Sequence, residues 1–155
     1  MADALAIGIR PIYARDQGEW RSMIRNYDPD IAGDADYAWG RFFDKSSGLR
    51  GRIATCCGAP AGFMHYVFHD FSVMRGPICY LADLYVKPEF RRRGVARAMI
   101  EHLIDLASNE RWTRIYWVTE HDNPARALYD QYGIPEFVRY HIDFAKNPLE
   151  AGDNQ

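Results

Sequence analysis

Cysteine is scarce in this chain. It has three, Cys56, Cys57 and Cys79, two of them adjacent, with no C-x-x-C pair and no Cys/His cluster. That arrangement excludes a disulfide scaffold and a structural zinc site, so no metal is expected and the thiols read as reduced core residues. A dominant sign of charge is also missing: Lys and Arg total 19 against 21 Asp and Glu, a net charge of -2. A chain so balanced lacks the broad basic face that a nucleic-acid partner requires. Long hydrophobic runs are absent as well. Stretches such as residues 78–82 stop far short of the roughly 20 apolar residues of a membrane helix, so no membrane span is expected. Near the N-terminus there is an acid, Asp3, and neither a basic leader nor a long apolar run precedes Arg10, so a cytoplasmic location is expected. Internal repeats and Pro/Ser-rich linkers are lacking, and residues 1–155 read as a single domain with a short polar tail over 147–155.

What is present suffices for a core: 48% of the residues are hydrophobic and 26% charged, which excludes a disordered chain. Leu5, Ile7 and Ile9 alternate with small or polar neighbours as in a half-buried strand, which Pro11 discourages from extending. Asp16 with Glu19 resembles a capping box, and Trp20, Met23, Ile24 and Tyr27 follow at helical spacing. After a turn-rich acidic stretch over 28–36, Ala35, Ala38, Trp39, Phe42 and Phe43 predict a short second helix. Two strand-like runs, 49–57 and 61–71, flank Gly58, Ala59 and Pro60 and predict an antiparallel hairpin. A third run covers 78–86. From Gly94 to Asn109 one apolar stripe, built on Val95, Met99, Ile100 and Leu103, opposes Arg97, Glu101, His102 and Asp105 and predicts the best helix in the chain. A strand over 114–119, a helix over 124–132 ended by Gly133 and a final strand over 137–144 complete the order βααβββαβαβ. Helices that alternate with strands only in the second half predict a mixed sheet.

The informative segment is LADLYVKPEFRRRGVARAM, a strand that runs through Pro88 into a glycine-containing helix start. Helix N-termini carry partial positive charge and unpaired N–H groups. Three consecutive arginines, Arg91, Arg92 and Arg93, are misplaced there unless an anion relieves them. A pyrophosphate would do so, held by the amides after Arg91 and approached closely because Gly94 has no side chain and Ala96 a small one. The competing reading is a solvated arginine cap beside a glycine that fits a tight turn.

Arg91, Gly94 and Ala96 in an R-x-x-G-x-A pattern, preceded by L-Y-V-K-P, resemble the acetyl-CoA motif of GNAT-type N-acetyltransferases. Downstream, WVTEHDNPARALYDQYG resembles the second motif of that family, most closely its histone and polyamine acetyltransferase-like branch. With the element order, the resemblance covers nearly the whole chain, the first half in pattern only. It implies a GNAT-like α+β fold: a central mixed, mostly antiparallel, splayed sheet with helices on both faces. It also implies acetyl-CoA as cosubstrate. Beside Arg91, backbone amides of Arg92, Arg93, Gly94, Val95, Ala96 and Arg97 would hold the pyrophosphate, and the backbone of Leu84, Tyr85 and Val86 would pair with the pantetheine arm. A bulge where the sheet splays would leave an N–H near Leu84 to face the thioester oxygen. Tyr129 falls where the family places a cofactor-side general acid that protonates the departing thiolate. Asn123 is the candidate cofactor-contacting asparagine, although alignment on Ala125 and Tyr129 puts Asp122 at that place. A neighbouring diamine-acetylating branch uses the glutamate of E-D-L-Y-V near the acceptor amine; here Ala82 stands there and leaves Asp83 as the nearest carboxylate.

An acceptor amine of pKa about 10 must lose a proton before it attacks. Asp83 is the first candidate to receive it, with Glu120, His121 or an ordered water as alternatives. Asp28, Asp30, Asp34 and Asp36 crowd the connection between the first two helices, where they would steer a cationic amine or serve as ordinary turn residues. Tyr27, Tyr37 and Trp39 would pack an alkyl-ammonium, with a core role competing for Trp39. The expected activity is acetyl transfer from acetyl-CoA to a primary amine of a polyamine, a lysine-like small molecule or a peptide, by direct attack in a ternary complex. A covalent acyl-enzyme on Cys56 or Cys57 lacks a nearby histidine base. The alternative is a non-catalytic acyl-CoA-binding or protein-interaction module on the same fold. The final run carries large residues on both faces, Phe137 and His141 against Val138, Tyr140 and Ile142; with the resembled branch, this implies a homodimer.

Overall fold

In the computed structural model, which describes residues 6–140 and 142, the period-two runs of the chain build one five-stranded sheet. β1 (Ile7–Pro11), β2 (Leu49–Cys56), β3 (Ala59–His69), β4 (Ile78–Val86) and β5 (Arg114–Tyr116) lie side by side in chain order. The first three pairings are antiparallel and the last is parallel, because α3 (Val95–Asn109) carries the chain back between β4 and β5. α1 (Gln17–Tyr27) and α2 (Ala35–Arg41) fill the connection between β1 and β2. These elements belong to one compact unit, Met1–Thr119; α4 (Arg126–Tyr129) belongs to a second, Glu120–Gln155.

Alternation along the strands sends side chains to two cores. On one face Ala54, Met64, Tyr66 and Leu81 meet Val95, Met99 and Leu103 of α3. On the other, Ile53, Phe63 and Tyr85 meet Trp20, Met23 and Ile24 of α1. Helices therefore cover both faces of a mixed, mostly antiparallel sheet, the expected α+β architecture. Trp20 has no exposed surface, and truncating a side chain of that size in a packed core costs about 3–5 kcal/mol.

Several local expectations are corrected. β2 and β3 join through Cys57 and Gly58, both at positive φ (50° and 82°), the signature of a two-residue type I′ loop. The loop exposes Cys57, so only Cys56 and Cys79 are core thiols. Asp16 makes no side-chain capping bond to α1. Its carboxylate instead accepts the Tyr13 N–H at 2.8 Å and two Arg10 N–H groups at 2.6 and 2.8 Å. β5 stops at Tyr116, short of residue 119, and α4 is shorter than the expected 124–132.

The largest correction concerns the final strand. Residues 137–140 and 142 lie outside any strand, and Phe137, Val138 and Tyr140 are 84%, 78% and 92% exposed. A strand is made by backbone pairing, which suitable side chains alone do not supply. The remaining positions of that run, 141, 143 and 144, lie outside the described residues, as do Leu5 and the tail over 147–155. The order among the described residues is therefore βααβββαβα. No helix among them is long and apolar enough to cross a membrane.

Candidate active site

Two irregularities of β4 build the site. His65 pairs with Asp83 and Tyr66 with Leu81, which leaves Ala82 without a partner as a β-bulge. Cys79 and Leu81 face α3, and strict alternation through Ala82 would send Asp83 the same way. Because the bulge absorbs Ala82, Leu84 and Val86 keep the α3 face while Asp83 turns with Tyr85 toward α1, opposite His65. The second irregularity is an open edge. β5 pairs with β4 only as far as Tyr80, and among the described residues no strand pairs with that edge over 81–86. The Lys87 N–H donates to the Ala61 carbonyl of β3 at 2.9 Å, so by alternation the backbone of Tyr85 also pairs with β3 while the groups of Leu84 and Val86 face the open edge, where they can meet an extended arm.

β4 leads through a 3-10 turn, Pro88–Phe90, into α3. Arg92 and Gly94 both have positive φ, 61° and 85°. Left-handed residues next to right-handed ones turn successive backbone N–H groups into a concavity suited to an anion. No side chain caps α3 and no acid stands in its first turn, so the positive end of the helix is unopposed. A Cβ on Gly94 would meet only Ile7 Cδ1, at 3.8 Å; glycine is needed for its φ and leaves the ground before the helix open. Arg91 Nε donates to the Val86 carbonyl at 3.0 Å, tying the turn to the strand end. The Arg93 guanidinium lies 5.9 Å from the Phe90 ring centre, and Arg92 and Arg97 are exposed. Val95 is buried against the sheet and Ala96 is half-buried. An open strand edge leading to an uncapped, arginine-flanked helix N-terminus fits a pantetheine arm ending in a pyrophosphate.

Asp83 is held from the core side. His65 Nδ1 lies 2.9 Å from Asp83 Oδ2, and the Trp20 indole N–H donates to His65 Nε2 at 2.8 Å. An indole nitrogen only donates, so His65 Nε2 carries no proton; the ring is neutral and its Nδ1–H donates to the carboxylate. With 4% of His65 exposed and both ring nitrogens engaged, this histidine is no base for a substrate. The Asp83 side chain is 26% exposed and is reachable. Sequence reasoning names neither Trp20 nor His65 as functional. The available signal was a histidine inside an apolar strand run, and its partner becomes visible only through the bulged register.

The other candidates are distributed as follows. Glu120, His121 and Asp122 are exposed in the second unit, where the His121 carbonyl accepts from Arg126 at 2.6 Å. Asn123 Oδ1 accepts the Ala125 N–H at 2.9 Å, fixing the entry to α4. Tyr129, within α4, is half-buried, and burial pushes its phenol above the ordinary tyrosine range. Between α1 and the acidic connection lies a cavity of about 150 Å³ lined by Arg21, Arg25, Ala32, Gly33, Ala35 and Asp36. Arg21 forms an ion pair with Asp36, and Asp28 accepts the Asp30 N–H at 2.9 Å, so half of the four aspartates are already engaged. Trp39 packs on Trp20 at 5.1 Å between ring centres, Tyr27 packs on Phe63 and Tyr85, and Tyr37 is exposed beneath Arg41. Burial pushes the Cys79 thiol up to about 12, which makes it a poor nucleophile. Among the described residues no group of three or more His, Cys, Asp or Glu is arranged to hold a metal ion.

Residues 10–134 match the family model described as "Acetyltransferase (GNAT) family". A D-amino-acid N-acetyltransferase of Saccharomyces cerevisiae, HPA3, is 31% identical over 134 residues, covering 79% of this chain and 81% of that protein. A thialysine N-epsilon-acetyltransferase of Caenorhabditis elegans is 34% identical over 87 residues, covering 56% of this chain and 54% of that protein. Among solved structures, the aminoglycoside N-acetyltransferase AAC(6')-Iy in complex with CoA shares the fold with a TM-score of 0.74 at 23% identity, over 92% of this chain and 97% of that one.

Proposed function

From the premise that this chain belongs to the GNAT acetyltransferase family and is an acetyl-CoA-dependent N-acetyltransferase, we propose that it acetylates the primary amine of a small, amino-acid-like or polyamine substrate, or of a peptide. Transfer is direct, in a ternary complex. The relatives named for D-amino acids and thialysine support a small amino-acid-like acceptor. Acetyl-CoA binds with its pyrophosphate at the amides from Arg92 to Arg97 and its pantetheine arm along Leu84, Tyr85 and Val86, with Asn123 and Tyr129 as further contacts.

Asp83 accepts the proton of the attacking amine. The nitrogen lone pair forms the new C–N bond at the thioester carbonyl, with a backbone N–H near Leu84 opposite the developing oxyanion. The C–S bond breaks, and the Tyr129 phenol gives its proton to the leaving thiolate. Solvent then restores both groups. The observation that carries this reading is the Ala82 bulge, which turns the one carboxylate of the segment to the α1 side of an open strand edge. We further propose that residues 1–155 act as one catalytic domain, in the cytoplasm and as a homodimer. Initial-velocity kinetics with acetyl-CoA and the amine varied together test the direct mechanism: intersecting reciprocal plots are expected, and parallel plots, the mark of a covalent acyl-enzyme, contradict it.

A further inference from the structure

Asp83 stands at the end of a hydrogen-bonded chain that begins inside the core. The chain runs from the fully buried Trp20 of α1 through His65 of β3 to the carboxylate on β4. The imidazole has little freedom: Phe63 stacks on it at 4.5 Å between centres, and Phe42 and Trp20 lie at 5.1 and 5.8 Å. Burying an imidazole is costly unless both nitrogens find partners. Here both do, and one partner is the carboxylate of the candidate base. For packing alone, an aliphatic residue among these rings would serve as well.

We propose that Trp20 and His65 are positioning residues for acetyl transfer. The Trp20 N–H holds His65 in its Nδ1–H tautomer, and that N–H fixes one oxygen of Asp83 so that the other is presented to the acceptor amine. The proposal rests on the reading of Asp83 as the proton acceptor. The array orients and does not shuttle. Because indole cannot accept a proton at nitrogen, nothing passes from His65 Nε2 into the core, and a proton taken by Asp83 leaves from the carboxylate's own exposed side. Trp20 also makes His65 a one-way donor, since a proton on Nε2 would forfeit the indole bond.

The test uses the full chain with acetyl-CoA and with spermidine, lysine and thialysine as acceptors. Asp83→Asn is expected to lower kcat about 100-fold. His65→Leu, which keeps volume but lets the carboxylate swing, is expected to lower kcat about 10- to 100-fold while the KM for acetyl-CoA stays unchanged. His65→Asn, whose amide NH₂ reproduces the Nδ1 donor, is expected to recover most of that loss. In the Asp83→Asn/His65→Leu double variant kcat should fall no further than in Asp83→Asn alone. Nitrogen-15 NMR of the wild-type protein, with the His65 signal assigned by its loss in His65→Asn, should report the Nδ1–H tautomer. Trp20→Phe should mix the tautomers. Full kcat in His65→Leu alongside a depressed Asp83→Asn overturns the positioning role and leaves that of Asp83 standing. Full kcat in Asp83→Asn overturns both. Should His65→Leu fail to fold, the wild-type spectrum decides: an Nε2–H or doubly protonated ring overturns the proposal.

Discussion

Tyr129 and Asp16 show how a single group couples structure to chemistry. Burial raises the Tyr129 phenol, so it stays protonated through neutral pH, as its proposed role as acid for the thiolate requires. Tyr129→Phe keeps the ring and its packing. CoA affinity, measured by calorimetry, should persist while kcat falls about 10- to 1000-fold, and any alkaline limb set by the phenol should disappear. Full activity with chemistry shown to be rate-limiting would remove Tyr129 from the mechanism. Asp16 tests stability instead. Hydrogen bonds from Arg10 hold its carboxyl below the usual carboxylate range. Its stabilisation is therefore complete above the unfolded value of about 3.9 and is lost as pH falls through the folded value. Asp16→Asn should cost about 2 kcal/mol at pH 7, and denaturant titrations should show the difference from wild type shrinking toward pH 3.

At the scale of elements, the junction of β4 and α3 is the proposed cofactor site, and Gly94 is its most sensitive point. Its φ of 85° strains any L residue, by about 1–2 kcal/mol, and a carboxylate there would face the pyrophosphate. Gly94→Asp should abolish calorimetric binding of CoA. Gly94→Ala, which shares the strain but not the charge, should retain measurable binding; equal, undiminished affinity in both variants would move the anion site elsewhere. This junction was legible in the sequence because its signals are local: arginines before a glycine, then an apolar stripe at helical spacing. The two-sided core was legible for the same reason. The family resemblance implied a bulge in this strand, and β4 has one; its place at Ala82 and the Trp20–His65–Asp83 chain were not legible, because they depend on how β3 registers against β4, and no run of residues within either strand encodes that offset. The final strand differs in the opposite sense: residues 137–144 have strand-like side chains, but the described ones, 137–140 and 142, form no strand, because backbone pairing makes a strand and a side-chain pattern does not specify its partner.

For the molecule as a whole, the exposed Phe137, Val138 and Tyr140 join Ile134 and Ile142, 80% and 70% exposed, in one short segment. So much apolar surface in sequence is characteristic of an interaction site, and a second copy of the chain is the proposed occupant. Sedimentation at micromolar concentration should give twice the 17.9 kDa chain mass; a monomer alone would contradict the dimer. The enzyme as a whole is tested most directly by thiol release from acetyl-CoA over a panel of polyamines, lysine analogues, D-amino acids, aminoglycosides and peptides. Amine-dependent release is expected with at least one primary amine, in step with formation of the N-acetylated product. Release that no amine on the panel accelerates would contradict the account and leave an acyl-CoA-binding module in place of an acetyltransferase.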